Sequence, residues 1–164
     1  MLKRKMVKVI LLVVFGIASL LAVRQVRAKV NLTPELNALI ISKAKEWKLN
    51  PALIKAHARV ESGFDVNAKN PADPSYGLMQ ITPMLASDYG LIVNWRSPSK
   101  SEIERIYNVK NNLNVACWFI RNLRIKHTME EAIQMYNVGE AGYRKGVRNL
   151  TYLKTVRKYY EQYN

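Results

Sequence analysis

Two patterns of apolar residues divide the chain. From Val9 to Val23, fifteen residues follow one another without a charge, whereas from about residue 33 onward apolar residues recur every three to four positions. The second pattern is that of amphipathic helices, each burying one face, and no stretch alternates residue by residue as a half-buried strand would. Thr33-Pro34-Glu35 pairs a capping hydroxyl with proline at the first helical position, where a missing N–H leaves no bond unmade. Leu36, Leu39, Ile40 and the Lys43 stem carry this helix toward Trp47. Asn50-Pro51 repeats the start, with Leu53, Ile54, His57 and Val60 on one face, Glu61 at the end and Gly63 as the stop.

Residues 63–76 are turn formers and predict a long loop. Thr82-Pro83 opens a short helix that ends before Gly90. The longest helix runs from Asn108 to about Lys126, its buried face marked by Val109, Leu113, Ala116, Cys117, Ile120 and Leu123. Thr128-x-x-Glu131 is a capping box whose helix Gly139 closes, and a last helix carries Leu153, Val156, Tyr160 and Tyr163. The expected architecture is a compact all-α domain with at most a minor β-turn element, preceded by the hydrophobic N-terminal segment.

Charge changes how that segment reads. The chain holds 26 Lys+Arg against 12 Asp+Glu, a formal net charge of +14, and Lys3, Arg4, Lys5, Lys8, Arg24 and Arg27 all precede residue 29. A basic stretch followed by a short apolar run is the pattern of an export signal, with Val26 and Ala28 in the −3 and −1 places of a cut after Ala28. Arg24, Arg27 and Lys29 crowd that cut, so a retained membrane anchor remains the alternative. The division is then 1–28 for the signal or anchor and 29–164 for the folded domain. Either way the domain lies beyond the inner membrane, in or facing the periplasm. The basic remainder suits a polyanionic partner or simply a soluble surface. The export pattern, with no recognisable binding motif, argues against nucleic acid. Cys117 is the one cysteine, which excludes an intrachain disulfide, and its apolar surroundings make it a core residue.

Three short segments carry candidate chemistry. The helix that ends at Glu61 turns an apolar face inward at Leu53 and His57, which directs the Glu61 carboxylate toward the core. Burial disfavours the ionised form and raises the pKa, as a general acid requires, whereas a glutamate turned to solvent at a helix end would do neither. In Tyr76-Gly77-Leu78-Met79-Gln80-Ile81, Gly77 permits close backbone approach and Gln80 offers an amide that donates and accepts, although a turn leading into core residues explains the same pattern. Met135-Tyr136-Asn137-x-Gly139 puts a phenol and an amide at a helix end, suited to sugar rings and N-acetyl groups or, equally, to a buried tyrosine beside a capping asparagine.

Glu61-Ser62, then Gly77-Leu78-Met79-Gln80, then Tyr136-Asn137-x-Gly139, in this order and spacing, resembles the lytic transglycosylases of the soluble, goose-lysozyme-like type. The resemblance runs from about Leu36 to the C-terminus. It implies a lysozyme-like α domain that acts on peptidoglycan without a metal or other cofactor. By the same resemblance Glu61 is the catalytic acid/base, Ser62 helps to place substrate, Gln80 lines the cleft, and Tyr136 and Asn137 approach carboxylate and sugar. Tyr152 matches, more loosely, a C-terminal aromatic brought to the cleft. Two departures stand out: Met135 where the family has alanine, and a Pro-rich acidic loop, Asn70 to Tyr76, before Gly77.

Hydrolytic glycosidases use two carboxylates. The nearby acids after Glu61 are Asp65, Asp73 and Asp88, and each has the context of a turn or cap residue. A single-acid reaction yielding a 1,6-anhydromuramoyl product, which the resemblance implies, suits this context better. A muramidase using Asp73 or Asp65, and a noncatalytic wall-binding subunit of an envelope-spanning machine, are the rivals. Glycan strands are the expected partner, and a secretion, conjugation or phage assembly is a further candidate.

Overall fold

The computed structural model describes residues 32–164, so the N-terminal segment and the expected boundary after Ala28 lie outside the described residues. Eight helices follow in order: α1 (Pro34–Glu46), α2 (Pro51–Glu61), α3 (Pro83–Asp88), α4 (Lys100–Tyr107), α5 (Val109–Lys126), α6 (Met129–Val138), α7 (Glu140–Arg144) and α8 (Leu150–Tyr163). The only extended pairing among the described residues is a pair of isolated bridges, Lys69 with Tyr76 and Tyr76 with Ile81. The all-α architecture with a minor β element is thus the observed one, and none of these helices is long and apolar enough to cross a membrane.

Local chemistry starts the helices where the sequence placed them. The side chains of Thr33, Asn50 and Thr82 accept from backbone N–H groups of the first turn, each with proline at the first helical position. Thr128 and Glu131 close a reciprocal capping box at α6. Two helices lie outside those the apolar pattern predicts. Helix α4 carries Ile103, Ile106 and Tyr107 on one face against the core, a stripe too short to stand out along the chain, and α7 buries no residue. The readable signal for α4 was the capping box of Ser99 and Glu102. Glu102 also accepts from the backbone N–H of Val93 and Asn94, which ties down the preceding loop; the Ser99 N–H first, and then those two, hold its pKa near 2.

Packing follows the buried stripes. Helix α2 hides Ala52, Leu53, Ile54, Ala56, His57 and Ala58, and its most extensive partner is α8. The two run antiparallel. Asn50, at the start of α2, donates to the Tyr160 hydroxyl (3.3 Å) and to Asn164 Oδ1 (2.9 Å) at the end of α8, which brings the end of α2 to the start of α8. Helix α5 lays its buried face against α1, α4 and α6. Cys117 is fully buried on that face, where loss of solvation pushes its thiol up to about 12 and keeps it an inert core residue.

Candidate active site

The site forms where the end of α2 meets the start of α8, above the turn from Tyr76 to Ile81. Three helical segments grip that turn. Ser62, just past α2, donates from Oγ to the Leu78 carbonyl (2.8 Å). Tyr136, on α6, donates its hydroxyl to the Met79 carbonyl (2.8 Å). Asn112, on α5, accepts from Met79 N (2.8 Å) and donates to the carbonyls of Tyr76 and Ile106 (both 2.9 Å). A buried amide with all these bonds made is a rigid strut, because breaking any one would strand a polar group away from water.

The turn itself demands Gly77. Its φ is +76°, and a Cβ there would stand 2.7 Å from Asn112 Nδ2. The close approach expected of this glycine is therefore to Asn112, a residue that the sequence pattern hides among Asn111, Asn112 and Asn114. Gln80 also has positive φ, +49°, in the region that costs a residue with a side chain about 1–2 kcal/mol. Its amide holds that conformation by donating to the carbonyls of Gly77 (2.9 Å) and Ala68 (3.3 Å) and accepting from Ser75 Oγ (2.9 Å).

Glu61 is the last residue of α2, partly buried at the rim of the core. Burial lifts its pKa from 4.5 to about 7, against the opposing pull of a hydrogen bond from the Tyr152 hydroxyl to Oε1. Tyr152 lies in the first turn of α8 and is itself buried. Its own pKa, like that of Tyr136, is raised by burial and by the negative charge of Glu61, so both phenols stay protonated and act as neutral donors. Behind them sits His57, one turn before Glu61 on α2 and 1% exposed. Its Nδ1 is 3.0 Å from the Tyr152 hydroxyl, and its ring centroid is 4.7 Å from that of Tyr136. Burial takes the imidazole down to about 3, so it is neutral at any physiological pH.

Of the residues singled out by sequence, Tyr152 meets Glu61 directly, and Tyr136 feels the charge of Glu61 while its hydroxyl bonds the Met79 carbonyl of the turn. Ser62 and Gln80 direct their polar atoms into the turn, so whatever they do for a substrate acts through the backbone they hold. Asn137 is exposed, and its Oδ1 accepts from Nδ2 of Asn149, the N-cap of α8, joining the end of α6 to the helix that delivers Tyr152. His57 and Asn112 were missed as site residues. One stood in an apolar stripe and the other in an asparagine-rich run, and neither context marks a partner distant in sequence. Asp65 accepts from Asn67 N (2.9 Å) in a local turn, and Asp73 lies exposed in the loop. Met135, the departure from alanine, is buried in a small cluster with Leu123 and Ala132, against which Phe119 and Tyr143 pack.

The described residues form an all-α domain of the lysozyme-like fold, with a buried carboxylate at a helix end. Residues 38–156 match the family described as Transglycosylase SLT domain, and the chain belongs to that family. The fold is similar to that of the lytic transglycosylase Slt from Pseudomonas aeruginosa, solved as an inactive mutant. The TM-score is 0.59 at 18% sequence identity, over 80% of this chain and 24% of that one. This chain thus spans about a quarter of the length of that structure's chain. No curated protein matches it.

Proposed function

We propose that the protein is a lytic transglycosylase that cuts peptidoglycan glycan strands between N-acetylmuramic acid and N-acetylglucosamine, with Glu61 as its single acid/base. The observation that carries this reading is the state of Glu61, a carboxyl lifted to about 7 by burial and aimed at by the Tyr152 hydroxyl. A group so poised holds a proton in a good fraction of molecules near neutrality and gives it up readily.

In the first step Glu61 protonates the glycosidic oxygen as the bond to the muramoyl anomeric carbon breaks. The positive character that develops at that carbon is shared with the ring oxygen. In the second step ionised Glu61, with the Tyr152 hydroxyl donating to it, takes the proton of the muramoyl 6-hydroxyl. That oxygen attacks the anomeric carbon and closes a 1,6-anhydro ring. Protons balance: the one given to the leaving oxygen is replaced by the one taken from the 6-hydroxyl. Among the described residues no second carboxylate adds its repulsion to Glu61, which favours this route over a two-carboxylate hydrolysis.

The basic, apolar segment before residue 29 supports export, cleaved or retained as an anchor, with the domain working in the periplasm. Purified sacculi test the whole reading. Wild-type protein should clear them and release fragments whose muramoyl ends weigh one water less than reducing ends. Glu61→Gln should leave them intact. Clearing by Glu61→Gln at the wild-type rate overturns the proposal, and reducing ends in the wild-type digest redirect it to a muramidase. Cell fractionation with N-terminal sequencing of the full chain tests the export reading.

A further inference from the structure

We propose that His57 is a positioning residue for Glu61, acting through Tyr152 by fixing the direction in which the phenol donates its hydrogen bond. This rests on the reading of Glu61 as the acid/base and extends it one residue inward. The geometry is a chain of three groups: Glu61 Oε1, the Tyr152 hydroxyl and His57 Nδ1, the last contact measuring 3.0 Å. His57 is held in place by its helix and by the neighbouring rings of Tyr136 (4.7 Å between centroids) and Tyr152 (6.1 Å), so the imidazole cannot swing away without opening the core.

A phenol has one hydrogen and two neighbours here. If His57 Nδ1 carries a hydrogen, it donates to the Tyr152 oxygen, and the Tyr152 hydrogen must point to Glu61. If Nδ1 is bare, the Tyr152 hydrogen is drawn to His57, and Glu61 faces a lone pair that only its protonated form can satisfy. The neutral ring's tautomer therefore decides whether Tyr152 supports the ionised or the protonated carboxyl. With Nδ1–H in place, the Tyr152 hydroxyl is polarised toward Glu61 and becomes a stronger donor to it. This arrangement serves the second step, in which Glu61 must be an anion aligned on the 6-hydroxyl. A histidine that merely filled space would make no such demand on one ring nitrogen.

The titratable groups facing this chain come from each element around it: Glu61 and His57 from α2, Cys117 from α5 beside Tyr136, Tyr136 from α6 and Tyr152 from α8. Two readouts separate the proposal from simple packing. The first is the nitrogen NMR spectrum of His57 in the intact protein at pH 8, where Glu61 is ionised. We expect the neutral ring protonated at Nδ1, and finding the hydrogen on Nε2 would overturn the proposal without any activity measurement.

The second is kinetic, on sacculi. His57→Phe should lower kcat about 10–100-fold with KM changed less than about threefold, the loss expected when a catalytic group is misaligned rather than removed. His57→Asn, whose amide can place an N–H close to the Nδ1 position, should recover most of that rate. Equal rates for wild type and His57→Phe, or no difference between the Phe and Asn variants when both fold, would overturn the proposal. Glu61→Gln serves as the control. If it is inactive while His57→Phe is fully active, the His57 proposal falls alone. If Glu61→Gln is active, the functional reading falls and the catalytic part of this proposal falls with it.

Discussion

The Tyr152 hydroxyl donates to Glu61 Oε1 and so joins the first turn of α8 to the last residue of α2. Two residues ninety-one positions apart thereby share one proton-handling unit. Burial raises the carboxyl and this bond lowers it, and the balance leaves it at about 7.

Removing the bond should tip that balance. In Tyr152→Phe the lowering contribution disappears, so the Glu61 pKa moves above 7. The alkaline limb of the pH–rate profile on sacculi, where Glu61 loses its proton, should shift to higher pH. The maximal rate should fall about 10–100-fold, because the anion needed in the second step has lost its donor. An unmoved limb would count against the assignment of Glu61.

Glu61 also ties stability to pH. Between pH 4.5 and about 7 the carboxyl is protonated in the folded chain and ionised in the unfolded one, so the folded state holds the extra proton. Its contribution is present below 4.5 and is lost as pH rises to 7, for a total of about 3 kcal/mol. Glu61→Gln removes this dependence. The variant should melt higher than wild type at pH 8, and the gap should shrink at pH 5, as read by thermal unfolding monitored by circular dichroism.

His57 acts in the opposite sense. Its pKa falls from 6.5 to about 3 on burial, so below 6.5 the unfolded chain takes up a proton that the folded chain refuses. The stability present above 6.5 is lost as pH falls toward 3. Between 4.5 and 6.5 the slopes of Glu61 and His57 oppose each other at about 1.4 kcal/mol per pH unit each, which flattens the wild-type curve there. In His57→Asn only the Glu61 slope survives, so stability should rise on acidification through that window. A His57→Asn curve parallel to wild type in denaturant titrations at several pH values would contradict the neutral, buried imidazole.

Gly77 and Asn112 should fail as a pair. Gly77→Ala meets positive φ and the Asn112 amide at once, and Asn112→Ala strands Met79 N and the Ile106 carbonyl and leaves the Tyr76 carbonyl with only its bond from Ile81 N. Each should cost about 2–4 kcal/mol in urea unfolding. The double variant removes the amide that the new methyl strikes, so its loss should fall short of the sum by about 1 kcal/mol or more. Strict additivity would mean that the close contact is relieved some other way.

What the sequence determined by itself was local. Thr33-Pro34, Asn50-Pro51, Thr82-Pro83 and the Thr128–Glu131 box fix helix starts through bonds spanning three or four residues, and 3.6-residue spacing fixes which faces are buried. The apolar face of α2 even implied the burial that raises Glu61. Tertiary structure decided everything that depends on two distant segments meeting. It put Tyr152 on Glu61, turned the polar atoms of Ser62 and Gln80 into the turn, and recruited His57 and Asn112. The physical reason is that a polar side chain in a stripe or an asparagine run looks the same whether it faces water or a partner thirty-six or ninety-five positions away. Only packing, by removing the water, makes its partner matter.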